Sequence, residues 1–467
     1  MVRFKLWILV LAVAVCLPTT AFSHDDDPLD GQGLTPAGYG GNLPFSANRI
    51  ILKSNLTLAQ IGGAPGALGS AIWGWTDTAA AGGPREYAMF GLGNGTSFID
   101  VTNASNPTYV GFLPSATGTS VWRELRSAGN HALIVSDGNG AHGMQVFDMT
   151  KLRDYAGTPI TFSTAESSFY TRYAGVTNAH TIHVNEATGY AYVFGSGGNP
   201  FSGGAHIVNV NNPMTPTAQG GYNGSGYIHD GQAVIYSGPD AAHVGKEILF
   251  AANARSSSNV NDDSVRIIDV TNKASISVLG NATHTNARYI HQGWLTPDQK
   301  YFLVDDELDE YYNQSVMKTH VYDVSDLENP IYKGGWTHPS NSRNIDHNLF
   351  IKETPFGLMA FESNYTMGLR VIRIDDLSGA TPLMTEWGWF DTYPADDAIV
   401  SFNGQWGNYP FFDSGIIIAG DRQNGLFVLQ MVPEPSTWAL MAFGSLLMTV
   451  VAIRRRRKLL FASDRVS

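Results

Sequence analysis

The chain has 467 residues, 43% of them hydrophobic and only 15% charged, with 29 basic against 41 acidic side chains. That composition excludes a disordered chain and a polytopic membrane protein, and 50 glycines without a Gly-X-Y period exclude collagen. A single cysteine, Cys16, excludes an intrachain disulfide framework and a cysteine-based zinc site.

The N-terminus carries Arg3 and Lys5, an apolar run from Leu6 to Leu17, and small residues around Ala21 and Ser23. Charged flank, short apolar core and small-residue cleavage zone define a signal peptide over residues 1–23. The apolar run is short for a membrane anchor. Val15 before Cys16 does not suit lipidation, and cleavage removes the thiol. Residues 24–69 form an N-terminal segment, read as an added strand plus loop. The body between the two processed ends, residues 24–432, holds 21 basic and 39 acidic residues, a net of −18. Such a surface repels nucleic acid and anionic lipid.

From residue 70 to 431 a short phrase recurs: a small residue, two variable ones, then an apolar strand ending near Asp. Its copies begin at Gly95, Gly143, Gly204, Ser264, Lys318, Gly368 and Gly425, spaced 48, 61, 60, 54, 50 and 57 residues apart. Each follows another apolar run, such as Glu86-Tyr-Ala-Met-Phe90 or Lys300-Tyr-Phe-Leu-Val304. Each precedes a turn, often Asn-Pro. Periods of this length with strand-forming residues between Gly, Asn and Pro predict the blades of a radial repeat. The expected fold is an all-β propeller with seven blades, six and eight being the alternatives. The repeated Asp100, Asp148, Asp269 and Asp323 suit turn capping at the strand end rather than catalysis.

Several histidines occupy matched places at blade starts: His131, His180, His229 followed by Asp230, His291, and His347 preceded by Asp346. His183 lies three residues beyond His180. Matched positions in a propeller lie at matched radii, so these side chains are expected to gather at one mouth of the channel. Two roles are open to them: fastening each blade to the next, or holding a transition metal with nearby carboxylates. The acidic run Asp305, Asp306, Glu307, Asp309 and Glu310 offers oxygen ligands suited to calcium, without the spacing of an EF-hand. A divalent metal, calcium or a transition metal, is therefore the one cofactor class expected. No nucleophile elbow, zinc helix, phosphate loop or dinucleotide fingerprint is present, and no catalytic residue is assigned. Aromatic segments such as Glu386-Trp-Gly-Trp-Phe390 and Asn403-Gly-Gln-Trp-Gly-Asn-Tyr-Pro410 suit either sugar stacking or blade core.

The C-terminus, residues 432–467, reads Pro433-Glu434-Pro435, an apolar stretch from Trp438 to Ile453, then Arg454, Arg455, Arg456, Arg457 and Lys458. The stretch is a marginal transmembrane span by length, and the basic block would stay on the cytoplasmic side. The order of tripeptide, apolar helix and arginine cluster resembles the PEP-CTERM sorting signal of exported Gram-negative proteins. That resemblance implies export, a transient inner-membrane anchor, and cutting by an exosortase-type protease. The body resembles the choice-of-anchor B family with its LVIVD-type propeller repeats. The stretches that carry this are Arg85–Val101, Gly129–Asp137, His142–Asp148, His229–Pro239, His291–Asp298 and Asp305–Glu310. This second resemblance implies a propeller on the cell surface, outer envelope or extracellular matrix, and no established activity. The expected function is a binding module for extracellular polysaccharide or a surface protein, the rival being a metal-dependent extracellular enzyme built on the histidines.

Overall fold

The computed structural model describes residues 45–198, 200–224, 226–254, 263–395 and 400–432. The signal peptide, the apolar C-terminal stretch and the arginine cluster lie outside the described residues. Among the described residues no helix is long and apolar enough to cross a membrane.

Seven sheets, each a four-stranded antiparallel blade at its core, follow one another around a ring. The innermost strands, in blade order, are Gly69–Asp77, Arg123–Ala128, Thr181–Asn185, Tyr227–Ile235, Ile290–Leu295, Leu349–Thr354 and Gln405–Tyr409. Every copy of the repeated phrase becomes the third strand of its blade, from Gly95–Asp100 in blade 1 to Gly425–Met431 in blade 7. The apolar run upstream of each copy becomes the second strand. Both strands are covered on both faces by neighbouring blades, so they read as continuous apolar runs rather than alternating ones. Ala88, Met89 and Phe90 are all fully buried.

The ring closes with a borrowed strand. Ile50–Leu56 pairs antiparallel with Gly425–Met431 and supplies the outer strand that blade 7 lacks. The N-terminal segment is therefore structurally part of the propeller in its described portion, and the blade count is seven. A closed ring leaves no long free sheet edge. Phe427 secures the seam. It is fully buried and meets Phe45 edge-on at 5.0 Å and Phe390 of blade 6 at 5.8 Å.

The repeat residues have visible tasks. The carboxylates of Asp100, Asp148, Asp269 and Asp323 each accept the backbone N–H two residues on, at 2.9–3.0 Å, capping the turn that ends the third strand. The glycine that opens the phrase lets the fourth strand pass close. A Cβ at Gly204 would lie 1.9 Å from the Tyr222 carbonyl oxygen, and one at Gly425 would lie 2.2 Å from that of Leu56.

Phe427→Ala is expected to destabilise the fold by about 3–5 kcal/mol, because it opens a cavity at the closing seam. Ile51→Ala, on the exposed side of the borrowed strand, is expected to stay within about 0.5 kcal/mol. Urea-unfolding midpoints of the two variants test the seam, and equal effects would argue against it.

Candidate metal centre at one end of the channel

The first turns of the inner strands bring four imidazoles into a row. Ring centroids run His180–His229 at 4.3 Å, His229–His291 at 4.0 Å and His291–His347 at 4.3 Å. All four side chains are buried. Local irregularity creates the row. The pairing register of the inner strand slips at Ile228/Asp230 and again at Ile290/Gln292, making His229 and His291 the extra residues of two β-bulges. A bulge re-aims one side chain without breaking the ladder, and here it aims an imidazole at the axis. His180 and His347 lie just before their strands and need no bulge.

Each imidazole is tied at Nδ1. His229 donates to the backbone carbonyl of His291 at 2.9 Å, and His347 to that of Trp406 at 2.6 Å. A carbonyl only accepts, so Nδ1 carries the proton in both, and Nε2 is left with the lone pair. His180 Nδ1 faces Asp137 Oδ2 at 3.0 Å, and His291 Nδ1 faces Asp305 Oδ2 at 2.7 Å. Three of these bonds cross from blade to blade, while that of His291 stays within blade 5, and an imidazole tied in this way is also oriented as metal ligands are.

Glu307 is where the Nε2 atoms converge. Its carboxylate oxygens lie 3.7 Å from His291 Nε2 and 3.7 Å from His347 Nε2. One ligand atom from each of the three residues falls within 4.8 Å of the others. Tetrahedral Zn²⁺ with bonds of 2.0–2.1 Å spaces its ligand atoms about 3.3 Å apart, so the two spacings to Glu307 need only slight tightening. Tyr365 donates its hydroxyl to Glu307 and fixes the carboxylate. His347 is held neutral, its pKa pushed down to about 3 chiefly by burial. A neutral imidazole is the ligand form. The space bordered by His180, His229, His291, His347, Trp122 and Trp406 measures about 10 Å³, room for one small ion or water.

Other residues singled out from the sequence go elsewhere. His131 opens the second strand of blade 2, not the first. It borders an outer cleft with Glu186 and Asn211, away from the row. His183 turns to the far end of the inner strands. Its Nε2 donates to the Ala233 carbonyl at 3.1 Å and its ring meets Trp294. There it joins Trp73, Arg126, Tyr409 and Phe411 around a cleft of about 300 Å³. Asp230 is buried behind the row, accepts from the N–H of Gly231 at 2.6 Å, and has its pKa raised to about 7 by burial. Trp387 and Trp406 are both buried, as blade core.

The acidic run does not act as one loop. Asp305 bonds His291. Asp306 accepts the N–H groups of Arg288 and Tyr289 at 2.7 and 2.6 Å and pairs with His284 at 3.1 Å. Glu307 joins the imidazoles, and Asp309 and Glu310 enter a short helix, Asp309–Tyr312. That Glu307 completes the histidine site was not read from the sequence, because it is 16 residues from His291 and 40 from His347. A second grouping, Asp240, His243 and Glu328, is an interblade clamp at the rim. His243 Nε2 meets Glu328 at 2.6 Å, while Lys246 Nζ lies 3.2 Å from His243 Nδ1 and disfavours a further cation.

Residues 432–457 match the PEP-CTERM protein-sorting motif. The chain is thus an exported protein whose C-terminal sorting motif is handled by exosortase-type machinery. Solved structures with similar coordinates include a protein from Lactobacillus plantarum, at 14% identity and TM-score 0.47 over 76% of this chain and 88% of that one. The β-propeller domain of Cps50 (Swd1) from Myceliophteria thermophila aligns at 10% identity and TM-score 0.45 over 82% and 100%. Hydrazine synthase of Kuenenia stuttgartiensis aligns at 14% identity and TM-score 0.47 over 73% and 91%. No curated protein matches the chain.

The carboxylates around the row give the fold a pH signature. Glu362 is fully buried, accepts from Thr319 at 2.9 Å, and burial raises its pKa from 4.5 to about 8. The folded chain therefore keeps a proton that the unfolded chain has released across that window, and stability falls as pH rises through it. Glu362→Gln is expected to match the wild type near pH 4.5 and to exceed it by about 2–4 kcal/mol at pH 8.5. Urea titrations in EDTA at the two pH values measure this. A variant weaker than the wild type at pH 8.5 would contradict the assignment.

Proposed function

We propose that this protein is an exported propeller of the choice-of-anchor B type that acts at the cell surface or in the extracellular matrix as a metal-bearing binding module. Its channel end holds one divalent transition metal through His291, His347 and Glu307. The observation that carries the proposal is the convergence of two oriented imidazoles on one carboxylate, with the ring of His347 kept neutral by burial. A mixed N/O donor set suits Zn²⁺, Cu²⁺, Ni²⁺ or Fe²⁺ over Ca²⁺. The adjoining space of about 10 Å³ accommodates an ion and not a substrate. That favours an ion that ties blades 5 and 6 together over a catalytic centre. Recognition of a partner falls instead to the open surfaces, chiefly the cleft of about 300 Å³ at the opposite channel end. Its Trp73, Trp294, Tyr409 and Phe411 suit the apolar face of a sugar ring, consistent with an extracellular polysaccharide as the partner.

Elemental analysis by mass spectrometry, on protein purified without a metal-affinity tag, is expected to find one equivalent of transition metal. His291→Ala and His347→Ala should each bring it below a tenth of an equivalent, and His131→Ala should leave it unchanged. A metal-free wild type after supplementation with Zn²⁺, Cu²⁺, Ni²⁺ and Fe²⁺ would leave the imidazoles as blade fasteners alone.

A further inference from the structure

The cleft at the channel end opposite the imidazoles has two unlike walls. One is aromatic and comes from blades 5, 6, 7 and 1. Phe411 stands at its centre, with ring centroids 6.0 Å from Trp294, 5.9 Å from Phe350, 5.3 Å from Tyr409 and 6.3 Å from Trp73. The loop that carries it is pinned to blade 6, where Lys352 Nζ donates to the carbonyls of Pro410 and Phe412 at 2.7 and 3.1 Å. The rings are thus in place before a ligand arrives, which lowers the ordering cost of binding.

The other wall is polar and comes from blades 2 and 3. Two of its side chains keep hydrogen-bonding capacity that no described residue uses. His183 is 7% exposed and borders the cleft. Its Nε2 donates to the Ala233 carbonyl, so Nδ1 carries the lone pair. Burial, helped by the charge of Arg126, pushes its pKa down to about 3, which keeps that lone pair available as an acceptor. Arg126 is 5% exposed and lies over the Trp73 ring, 4.2 Å from its centroid. Both of its hydrogen bonds leave from Nη1, to Glu124 and to the Leu125 carbonyl. Nε is enclosed without a partner, and Nη2 is the donor left to a ligand.

Charge narrows the choice of ligand. Glu124 pairs with Arg126 and cancels its charge, and Glu186 stands exposed at the rim. An anionic ligand therefore finds no net positive charge, and a cationic one meets the guanidinium already seated on Trp73. An uncharged ring bearing hydroxyl groups avoids both costs. Its C–H face suits the aromatic wall, and a hydroxyl group both donates and accepts, as His183 and Arg126 require. A few placed polar groups on a largely apolar lining is the usual composition of a ligand cleft.

We propose that this cleft binds an uncharged sugar unit, its ring face on the Phe411 wall and its hydroxyl groups donating to His183 Nδ1 and accepting from Arg126 Nη2. The proposal rests on the reading of the cleft as the surface that recognises a polysaccharide. It adds the class accepted, neutral chains rather than polyuronates or chains of free amino sugars.

The test is titration calorimetry on the full chain. The neutral probes are hexasaccharides of β-linked glucose, mannose and galactose, and the charged probes are hexagalacturonate and glucosamine hexamer. At least one neutral probe is expected to bind, tighter than either charged probe by about tenfold or more. His183→Phe keeps a ring and removes the acceptor, and is expected to weaken that binding about tenfold. Phe411→Ala removes the centre of the aromatic wall, and a loss of about tenfold is expected there also. No binding by any probe, or binding that Phe411→Ala leaves unchanged, overturns the proposal together with the sugar reading of the cleft. A charged probe that binds as tightly as the neutral ones and is weakened by Phe411→Ala overturns the proposal and spares that reading. Neutral-probe binding untouched by His183→Phe does the same. Should His183→Phe fail to fold, the ranking of neutral against charged probes on the wild-type protein decides.

Discussion

The hydrogen bond from an inner-strand imidazole to the next blade is the constraint on which the site depends. A propeller holds its ring together at the axis, where the inner strands are nearest and each must satisfy polar groups on its neighbour. His229 does this for blades 4 and 5 and His347 for blades 6 and 7, both through Nδ1. The same bond fixes the tautomer and the ring plane, and so directs Nε2. Fastening and metal binding, which look like rival roles for a repeated histidine, fall to different nitrogens of one ring and so are compatible. Other inner-strand groups fasten without this second capacity. Gln232 accepts from Leu295 N–H and Gln292 from Leu349 N–H, both across a blade boundary, and an amide oxygen engaged in this way has no further role.

The fold was legible because its determinants repeat. Seven copies of one phrase, with a glycine where the fourth strand passes and an aspartate where the turn needs an acceptor, state the blade seven times over. The borrowed strand was less legible: Ile50–Leu56 looks like any short apolar run, and only its pairing with Gly425–Met431 shows that it completes blade 7. The histidines were legible as a class and misplaced in two cases. His131 shares its local pattern with the others, yet it sits on a second strand and so at a larger radius. His183 lies three residues beyond His180, inside the strand that His180 precedes, and toward the other channel end. What separates His229 and His291 from an ordinary strand histidine is a one-residue register slip, which pattern alone does not reveal.

The acidic run shows the same limit from another direction. Read as a sequence, Asp305 to Glu310 is a single dense patch of negative charge. In the fold its members part company within a few residues. Asp306 is consumed by backbone donors and His284, Asp305 by His291, and Glu307 by Tyr365 and the Nε2 atoms. Glu310 alone of the run keeps both oxygens buried and unsatisfied. Composition signals a dense patch of charge, but which partner each carboxylate meets depends on where the chain turns, here at the short helix Asp309–Tyr312.

The chemistry is also unevenly spread around a ring whose blades are otherwise alike. The row spans blades 3 to 6, and the unpaired carboxylates gather where blades 5 and 6 meet. Blade 1, by contrast, places Ser70 at the matched position, and blade 2 places Arg123, which bonds Leu92 O and reaches His142. A guanidinium is fully buried on that side, whereas Glu307, Glu310, Asp346 and Glu362 are buried where blades 5 and 6 meet. On the proposed reading, a metal ion held by His291, His347 and Glu307 would tighten the contact between blades 5 and 6. That contact also carries hydrogen bonds, from Leu349 N–H to Gln292 and from Thr319 to Glu362, and it buries several carboxyl groups. An added positive charge there would offset the burial of those carboxylates, which is a physical reason for a site of the proposed kind to stand at this boundary.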